Sequence, residues 1–326
     1  MKNKILEILK NKDDFISGEE ISKEFHMTRA AIWKYMNMLK EDGYIIESVP
    51  RKGYKIISLP DILTYEEIKK YLDTEFIGRN IYYFDSINST NKKAKEMALE
   101  EKEGTVVVAE EQISGKGRLG RQWISPKGKG IWMSIILKPK CEPMTVAKIT
   151  LLGAAAVHKA LSNMNIKSQI KWPNDILING KKICGILTEM SAELNMINYV
   201  VMGIGINANL SEEDIPEDLK DKGTSIKISE GKKIDRKELL ANIVNEFEKF
   251  YIEFRDNNTI SIAIDICKEN SALIGREIRV IKGREIKLGK AVNINEEGEL
   301  VVEFEDGVIA NLYSGEVSVR GINGYN

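Results

Sequence analysis

The stretch SQIKWPNDILINGKKICGILTEM, residues 168–190, constrains the fold more than any other part of the sequence. It contains two apolar runs, DILI and KICGILTEM, whose composition is typical of strands. Asn179 and Gly180 lie between them, and this dipeptide is the strongest short-range signal for a β-hairpin. The hairpin places Lys181 and Lys182 at the start of the returning strand. The centre of the chain is therefore predicted to contain antiparallel sheet.

Further strands and helices are predicted on both sides of this hairpin, over residues 65–265. The runs TVVVAEEQ at 105–112 and GIWMSIILKP at 130–139 are typical of strands, and NYVVMGIGINAN at 198–209 is typical of a strand with a glycine-rich end. Residues 144–163 predict an apolar helix. We therefore predict a mixed α/β domain with a largely antiparallel sheet.

The segment SGKGRLGRQW has the glycine spacing Gly115-x-Gly117-x-x-Gly120, which imitates the dinucleotide-binding fingerprint of Rossmann domains. That fingerprint needs a strand before it, a helix that opens at its last glycine, and an acidic residue about 20 positions further on. The strand is present, but Pro126 and Gly128 lie where the helix would form. The spacing therefore does not indicate a nicotinamide cofactor.

The same loop is strongly cationic. Its glycines allow backbone N–H groups to approach an anion, and Arg118 or Arg121 offers a bidentate grip on it. Trp123 is able to stack on a ring. Two simpler interpretations stay open from these residues alone: a solvated basic turn, and a tryptophan that belongs to the core.

The first sixty residues predict a winged helix-turn-helix. The run KILEILK at 4–10 has helical apolar spacing, and a second short helix begins at Ser17 or Gly18. Thr28 is a good N-cap for a third helix, which ends before Gly43. The β-like runs YIIESV and GYKII come next, joined by PRKG, and form the wing.

A local basic patch coincides with this motif. Residues 28–56 hold six basic and three acidic side chains, whereas the formal charge of the whole chain is −1. Basic side chains on a recognition helix and at a wing tip suit phosphate contacts. The alternative is a small helical module that only mediates protein contact. We predict DNA binding through Thr28, Arg29, Lys34, Arg51 and Lys52.

Composition sets limits on the class of protein. The 326 residues suggest two or three domains, and 43% hydrophobic with 30% charged residues is typical of a soluble globular chain. The N-terminus lacks the features of a signal peptide, and the longest apolar run, at 149–157, is shorter than the roughly 20 residues of a membrane span. We expect a cytoplasmic protein without membrane association. The three widely spaced cysteines are expected to be reduced thiols.

The C-terminal residues predict short strands separated by the turns KGRE, NEEGE, EDG and YSGE. This spacing is typical of a small β-barrel. A short linker, LPDILT at 59–64, separates the winged helix from the central domain. The predicted domains are 1–60, 65–270 and 271–326.

Five motifs occur in order along the chain: SINSTN at 86–91, GKGRLGRQW at 115–123, KWPNDI at 171–176, KKICGILTE at 181–189 and GIGINAN at 203–209. Together they strongly resemble the biotin–protein ligases, although each alone would be weak. With the winged helix in front, essentially the whole chain resembles the bifunctional members, which join biotin–[acetyl-CoA-carboxylase] ligase activity to repression of the biotin operon. The implied fold is α+β and multidomain, with an SH3-like β-barrel at the C-terminus.

This resemblance implies two chemical steps. Biotin and ATP form biotinyl-5′-adenylate and pyrophosphate, and one lysine of the biotin carboxyl carrier domain of a biotin-dependent carboxylase then takes the biotinyl group. ATP and Mg²⁺ are implied as cosubstrate and activator, biotin as a substrate, and no tightly bound prosthetic group. The adenylate-loaded protein is implied to form a homodimer that binds operator DNA of biotin genes.

The resemblance also implies roles for particular residues. Lys182 and Arg118 are the catalytic pair, which neutralises charge as the biotin carboxylate attacks the α-phosphate. Trp123 would pack against the adenine in a loop that orders over the adenylate, and Asp175 would serve Mg²⁺. Biotin would contact Ser89, Thr90, Asn91, Gln112, Lys116, Gly117, Arg118, Lys182 and Gly185. ATP would contact Arg118, Arg121, Trp123, Asn174 and Asn207.

Other positions carry narrower expectations. Lys116 stands where some members have arginine, so it keeps the charge and loses the bidentate geometry. Trp33 is a bulky aromatic on the recognition helix, either buried or in contact with DNA. Cys184 is expected to line the biotin pocket as a small apolar filler. Gly203 and Gly205 are expected to let a strand pass close to the ligand.

Two other functions stay open. One is a transcription factor that senses a ligand without catalysis, which Lys182, Arg118 and Asn207 argue against. The other is a lipoate-type ligase, which shares the central architecture, although the KWPND and GKGR motifs favour biotin. Arg320 in the C-terminal run SGEVSVRG is a candidate contact of a domain that would help close the ATP site and receive the carrier.

Overall fold

The computed structural model describes residues 1–193, 196–313 and 318–321, with the backbone alone at 318 and 320. Contacts between Cα atoms divide the chain into two compact units, Met1–Ile62 and Leu63–Asn326. Each unit has its own hydrophobic core.

The N-terminal unit is the predicted winged helix-turn-helix. Ser17 accepts a hydrogen bond from the backbone N–H of Glu20, and Thr28 accepts one from Ala31, so both residues cap helices as their side chains predict. Arg51 at the tip of the wing has a positive φ of 68°. The elements are α1 (Lys2–Lys10), α2 (Gly18–Phe25), α3 (Arg29–Glu41), β1 (Ile45–Val49) and β2 (Gly53–Ser58).

The second unit is built on a seven-stranded sheet. Its strands are β3 (Ile81–Phe84), β4 (Val106–Ala109), β5 (Ile131–Leu137), β6 (Gln169–Lys171), β7 (Asp175–Ile178), β8 (Lys181–Glu193) and β9 (Met196–Ile206). They lie in the order β3-β4-β5-β9-β8-β7-β6. Among these strands β3 and β4 run parallel and all other neighbours are antiparallel, which confirms the predicted sheet type. Asn179 and Gly180 have φ values of 49° and 77°, as a tight hairpin between β7 and β8 requires.

Helices cover the sheet. In the described part of the second unit they are α4 (Tyr65–Ile68), α5 (Thr90–Met97), α6 (Val146–Asn163), α7 (Ile226–Glu230), α8 (Arg236–Asn257) and α9 (Ser261–Glu269). Helix α6 packs against α8, α9 and the strands β8 and β9. The segment Pro143–Asn163 is long and apolar enough to span a membrane, but 67% of its most apolar window is buried, as in the core helix of a soluble domain.

The chain ends in a five-stranded antiparallel sheet. Its strands are β10 (Glu277–Lys282), β11 (Glu285–Ile294), β12 (Leu300–Phe304), β13 (Ile309–Leu312) and β14 (Ser318–Gly321), in the order β13-β12-β11-β10-β14. The indole N–H of Trp172 donates to the carbonyl of Gly298 over 2.9 Å, which joins this sheet to the KWPNDI segment. The predicted fold class is confirmed, while residues 314–316 of the YSGE turn at 313–316 lie outside the described residues.

Candidate functional site

A cavity of about 480 Å³ opens over the central strands of the seven-stranded sheet. All five sequence motifs contribute to its wall. It brings together every residue that the sequence assigns to biotin, ATP or Mg²⁺. These residues are Ser89, Thr90, Asn91, Gln112, Lys116, Gly117, Arg118, Arg121, Trp123, Asn174, Asp175, Lys182, Gly185 and Asn207.

One end of the cavity is a buried polar cluster at the start of α5. The side-chain carbonyl of Gln112 accepts from the backbone N–H of Thr90 at 2.9 Å and lies 3.1 Å from its hydroxyl. The Gln112 amide nitrogen donates to the Ser125 hydroxyl at 2.9 Å. Ser89 caps α5 through the backbone N–H of Lys92. This end is therefore already assembled around Gln112.

The basic loop forms a tight hairpin. The N–H of Gly117 donates to the carbonyl of Arg121 at 2.7 Å, and the N–H of Trp123 donates to Gly115 at 2.9 Å. Leu119 and Gly120 at the tip both have positive φ, 56° and 73°, and Leu119 is exposed. A single 3-10 turn, Arg118–Gly120, stands where a Rossmann helix would begin. The helix that a nicotinamide fingerprint requires is therefore not formed at its last glycine, which agrees with the sequence argument against that cofactor.

Arg118 reaches across the cavity to the KWPNDI segment. One of its terminal nitrogens donates to the side-chain carbonyl of Asn174 at 2.7 Å. The Asn174 amide in turn donates to the backbone carbonyl of Ile186 on β8 at 2.9 Å. The guanidinium held in this way presents a positive charge to the cavity.

Lys182 lies beside Asp175, across the β7–β8 hairpin. The ammonium is 2.5 Å from a carboxylate oxygen of Asp175 and 5.2 Å from the centre of the Trp123 ring. Both side chains are largely buried. No group of three histidine, cysteine or acidic side chains suited to a metal occurs among the described residues. Asp175 is the carboxylate that would touch a hydrated Mg²⁺ carried by phosphates.

Two glycines of the sheet make room for Trp123. Gly185 and Gly205 are cross-strand partners on β8 and β9. A Cβ on Gly205 would lie 2.5 Å from the indole nitrogen, and one on Gly185 would lie 3.0 Å from the ring. A Cβ on Gly203 would collide with the Asn91 side chain. The expectation that the glycines let a strand approach the ligand needs refinement, because protein side chains fill that space here.

Several side chains of the cavity had no role predicted from the sequence. Lys171 is only 4% exposed at the end of β6, and it is the first residue of KWPNDI, so the motif itself was the available signal. Others come from a segment after β9 with no recognisable pattern: Asp214, Ile215, Leu219 and Lys222. Their position depends on backbone pairing, since Lys182 donates its N–H to the carbonyl of Lys222 at 2.8 Å.

Contrary to the expectation, Cys184 does not line the cavity, although it is a small apolar filler rather than a reactive thiol. Its side chain is fully buried in the hydrophobic core and is absent from the lining of the cavity. Burial raises the pKa of the thiol well above its ordinary value, so it stays protonated at neutral pH. The cysteine is a core residue, as its neighbours Ile183 and Ile186 are.

A buried ion pair anchors both ends of the segment that carries the basic loop. Arg236 is fully buried and donates to Glu110 at 2.8 Å and to the carbonyl of Gly130 at 2.9 Å. Glu110 also accepts from the N–H of Leu63 at 3.0 Å. Glu110 precedes the loop and Gly130 comes after it, so the pair fixes the distance between its two ends.

The N-terminal unit has a separate candidate surface. Arg29, Lys34, Arg51 and Lys52 are all exposed, and Arg29 pairs with Glu19 at 2.6 Å. Thr28 is engaged as the cap of α3, which leaves its hydroxyl oxygen turned toward the helix backbone. Trp33 is 60% exposed, so the buried alternative for this residue is wrong.

Comparisons with known proteins give the same picture along the whole length. The model of the Biotin/lipoate A/B protein ligase family matches residues 83–207, an HTH domain model matches 2–55, and the Biotin protein ligase C terminal domain matches 273–320.

Relatives and solved structures agree with these matches. The Bifunctional ligase/repressor BirA of Bacillus spizizenii is 42% identical over 94% of this chain and 94% of its own length. The Escherichia coli protein of the same description is 28% identical over 97% of this chain and 96% of its own length. The structure of biotin protein ligase from Aquifex aeolicus in complex with biotin and ATP has a TM-score of 0.66 and 30% identity, and covers 74% of this chain and 99% of that one.

Proposed function

This chain belongs to the bifunctional ligase/repressor family of biotin protein ligases, and we propose that it makes biotinyl-5′-adenylate and transfers biotin to a lysine of a carrier protein. The observation that carries the proposal is the cavity in which Gln112, Arg118 and Lys182 meet. A buried polar end suits the ring of biotin, and two cations beyond it suit the carboxylate and the α-phosphate. An enzyme of this kind needs no nucleophile of its own, because the biotin carboxylate is the nucleophile of the first step and the carrier lysine that of the second.

The first step joins two anions. A carboxylate oxygen of biotin attacks the α-phosphorus of ATP, a P–O bond forms, and pyrophosphate leaves with the electrons of the bond that breaks. The enzyme accelerates this step by holding both groups in line and by neutralising the charge that develops between them. We assign that neutralisation to Arg118 and Lys182, whose positions Asn174 and Asp175 fix through direct contacts.

The second step transfers the biotinyl group. The neutral amine of the carrier lysine attacks the acyl carbon of the mixed anhydride, and the bond from that carbon to the phosphate oxygen breaks. AMP leaves with the electrons of that bond, and the amine loses one proton as the amide forms. The basic hairpin would hold the anhydride until the carrier arrives, with Trp123 at the adenine end. This assignment predicts that hairpin amides exchange faster with solvent in the free protein than in the adenylate complex.

ATP binding is assigned to the side of the cavity that holds Arg121, Asn174 and Asn207. The Asn207 amide donates to the carbonyl of Thr224 at 3.0 Å, which ties the end of β9 to the segment that lines the cavity. Lys171 adds a further buried amine there. Mg²⁺ would arrive with the phosphates and neutralise part of their charge, with Asp175 as its protein ligand.

Repression is assigned to the N-terminal unit. The HTH match and the exposed basic residues of α3 and the wing support contacts to operator DNA of biotin genes. We further propose that the adenylate-loaded protein forms the homodimer that binds this operator, and that the protein is cytoplasmic. The proposed division is a DNA-binding domain over 1–60, a catalytic domain over 65–270 and a C-terminal domain over 271–326. The Arg320 side chain lies outside the described residues.

A label-transfer experiment tests the ligase. The protein is incubated with ATP, Mg²⁺, radiolabelled biotin and an apo-carrier domain, and the carrier is then separated and counted. We expect label on the carrier, dependent on ATP, and no competition from excess lipoate. Unlabelled carrier in the presence of folded protein would refute the ligase, and competition by lipoate would favour the lipoate-type alternative.

Operator binding tests the repressor. Affinity for the biotin operator is measured with no ligand, with biotin alone, and with biotin plus ATP. The adenylate-forming mixture should tighten binding, because a ligand shifts DNA affinity only when it binds the competent state better. Equal affinity in all three mixtures would contradict the proposed coupling.

A further inference from the structure

A continuous chain of hydrogen bonds runs beneath the polar end of the cavity. The Lys95 ammonium lies 2.7 Å from one oxygen of Glu189, whose other oxygen accepts from the Asn91 amide at 2.9 Å. The carbonyl oxygen of Asn91 is 2.6 Å from the Ser134 hydroxyl, and that hydroxyl is 2.8 Å from the Thr90 hydroxyl. Ser134, Asn91 and Thr90 are all buried.

Glu189 and a backbone carbonyl determine which way the Asn91 amide faces. Its nitrogen donates both to Glu189 and to the carbonyl of Leu187 at 3.2 Å. A carboxylate and a carbonyl only accept hydrogen bonds, so the nitrogen of Asn91 must face them and its oxygen must face Ser134. Although burial raises the pKa of Glu189, hydrogen bonds from Lys95 and Asn91 outweigh it and hold the pKa below its ordinary value. The side chain is therefore a carboxylate at neutral pH.

The orientation of Asn91 fixes the protons of the two hydroxyls. The Ser134 hydroxyl has one proton, and it must go to the Asn91 carbonyl, which cannot donate. The Thr90 proton then goes to Ser134 or to the Gln112 carbonyl at 3.1 Å, and in either case it is used inside the protein. The Thr90 hydroxyl, which lines the cavity, can therefore only accept a hydrogen bond from a ligand.

Gln112 offers a ligand a hydrogen-bond donor instead of an acceptor. Its carbonyl must face the backbone N–H of Thr90, so its nitrogen faces Ser125 and the cavity. One N–H is used by Ser125, which leaves the second for a ligand acceptor. The polar end thus offers an acceptor at Thr90 and a donor at Gln112, and Ser134 lies buried behind Thr90.

We propose that Glu189 is a positioning residue that, through Asn91 and Ser134, makes this end of the cavity select a ring with N–H donors beside a carbonyl, that is, a cyclic urea. This inference rests on the proposed function and explains how the cavity recognises the ring of biotin. Gly203 contributes to the position of Asn91, because a side chain at residue 203 would displace the Asn91 amide.

Lys95 gives the proposal a sharp test. In the variant Glu189→Gln, Lys95 accepts nothing and so holds the carbonyl of the introduced amide, which turns the amide N–H₂ toward Asn91. Asn91 then faces a donor at residue 189 and still an acceptor at Leu187, so neither orientation of its amide satisfies both neighbours. In the rotated orientation its nitrogen faces Ser134, and the Ser134 proton is released toward Thr90. In the double variant Glu189→Gln with Lys95→Met, the carbonyl of the introduced glutamine is free to face Asn91, and the original polarity returns.

The experiment measures binding of biotin and of a cyclic carbamate analogue, in which one ring N–H is replaced by oxygen, by calorimetry. We expect the wild-type protein to prefer biotin by about tenfold, the scale of one hydrogen bond. Glu189→Gln should lower that preference severalfold, and the double variant should recover most of it. Glu96→Gln is the matched control, because it removes a carboxylate from α5 outside the cavity and should leave both affinities unchanged.

The outcomes separate the two hypotheses. If wild-type protein does not bind biotin, the proposed function fails and this inference fails with it. If wild-type protein binds biotin but Glu189→Gln weakens both ligands by the same factor, the inference alone is overturned, because a merely structural role predicts that pattern. A double variant that is no more selective than the single one would overturn it as well.

Discussion

The two recognition surfaces of this protein are built in opposite ways. On the N-terminal unit, the side chains of α3 and the wing that we assign to DNA are exposed and lie outside the hydrophobic core: Lys34, Arg51 and Lys52. In the cavity of the second unit, the assigned residues contact one another, as Arg118 does Asn174 and Lys182 does Asp175.

This difference determines how each surface responds to substitution. Exposed residues with separate contacts usually act additively, whereas residues that share one hydrogen-bond network show large interaction energies. Salt also screens the interactions of exposed cations and so weakens their binding to phosphates, whereas interactions within buried ion pairs are screened much less. Substitutions in the cavity are therefore expected to have the larger effects, and those on the N-terminal surface the smaller ones.

The largest effect is expected from Lys182→Ala. Removing a preorganised cation from the reacting centre costs about 3–4 kcal/mol, or about 10²–10³-fold in the rate of adenylate formation. The assay is pyrophosphate exchange with biotin and ATP. Lys181→Ala is the matched control, because Lys181 is exposed on the same hairpin and its ammonium donates to the carbonyl of Lys220. Wild-type turnover in Lys182→Ala would contradict the catalytic assignment.

Double-mutant cycles compare the two surfaces directly. Arg118→Ala and Asn174→Ala should show an interaction energy of about 1–2 kcal/mol in the rate of adenylate formation, because each holds the other. Arg51→Ala and Lys52→Ala should act additively on operator affinity, each lowering the slope of log K against log salt by about 1. The comparison would be contradicted if Arg118→Ala and Asn174→Ala had additive effects on the rate, or if Arg51→Ala and Lys52→Ala showed an interaction energy in operator affinity.

Local structure was predictable from the sequence, because its signals lie within a few residues. The Asn179–Gly180 hairpin and the caps Ser17 and Thr28 are examples. The family resemblance predicted that the motif residues form one binding site, and they line one cavity. The ion pair of Arg236 with Glu110 could not be found this way, since 126 positions separate the partners and neither lies in a periodic pattern. The same holds for the placement of Trp123 against two glycines of the sheet.

Trp33 should produce an intermediate effect that belongs to the N-terminal unit alone. Because its side chain is 60% exposed, Trp33→Ala should leave the free energy of unfolding within about 0.5 kcal/mol of the wild type. If the indole contacts a base edge, operator affinity should fall by about 1 kcal/mol and specificity should relax at one position. Replacing thymine by uracil there should weaken wild-type binding and leave Trp33→Ala unaffected. Loss of stability without change in operator affinity would assign Trp33 to packing instead.

The smallest effect concerns the two histidines, one in each unit. Burial, with a smaller contribution from Lys159, holds the pKa of His158 below its ordinary value of 6.5. A depressed pKa means that the folded state binds fewer protons, so this contribution to stability is complete above the unfolded pKa and is lost as pH falls through the folded pKa. The melting temperature should therefore fall on acidification from neutral pH, and His158→Gln should reduce that dependence. His26→Asn, which alters an exposed side chain at the end of α2, is the control substitution in the other unit.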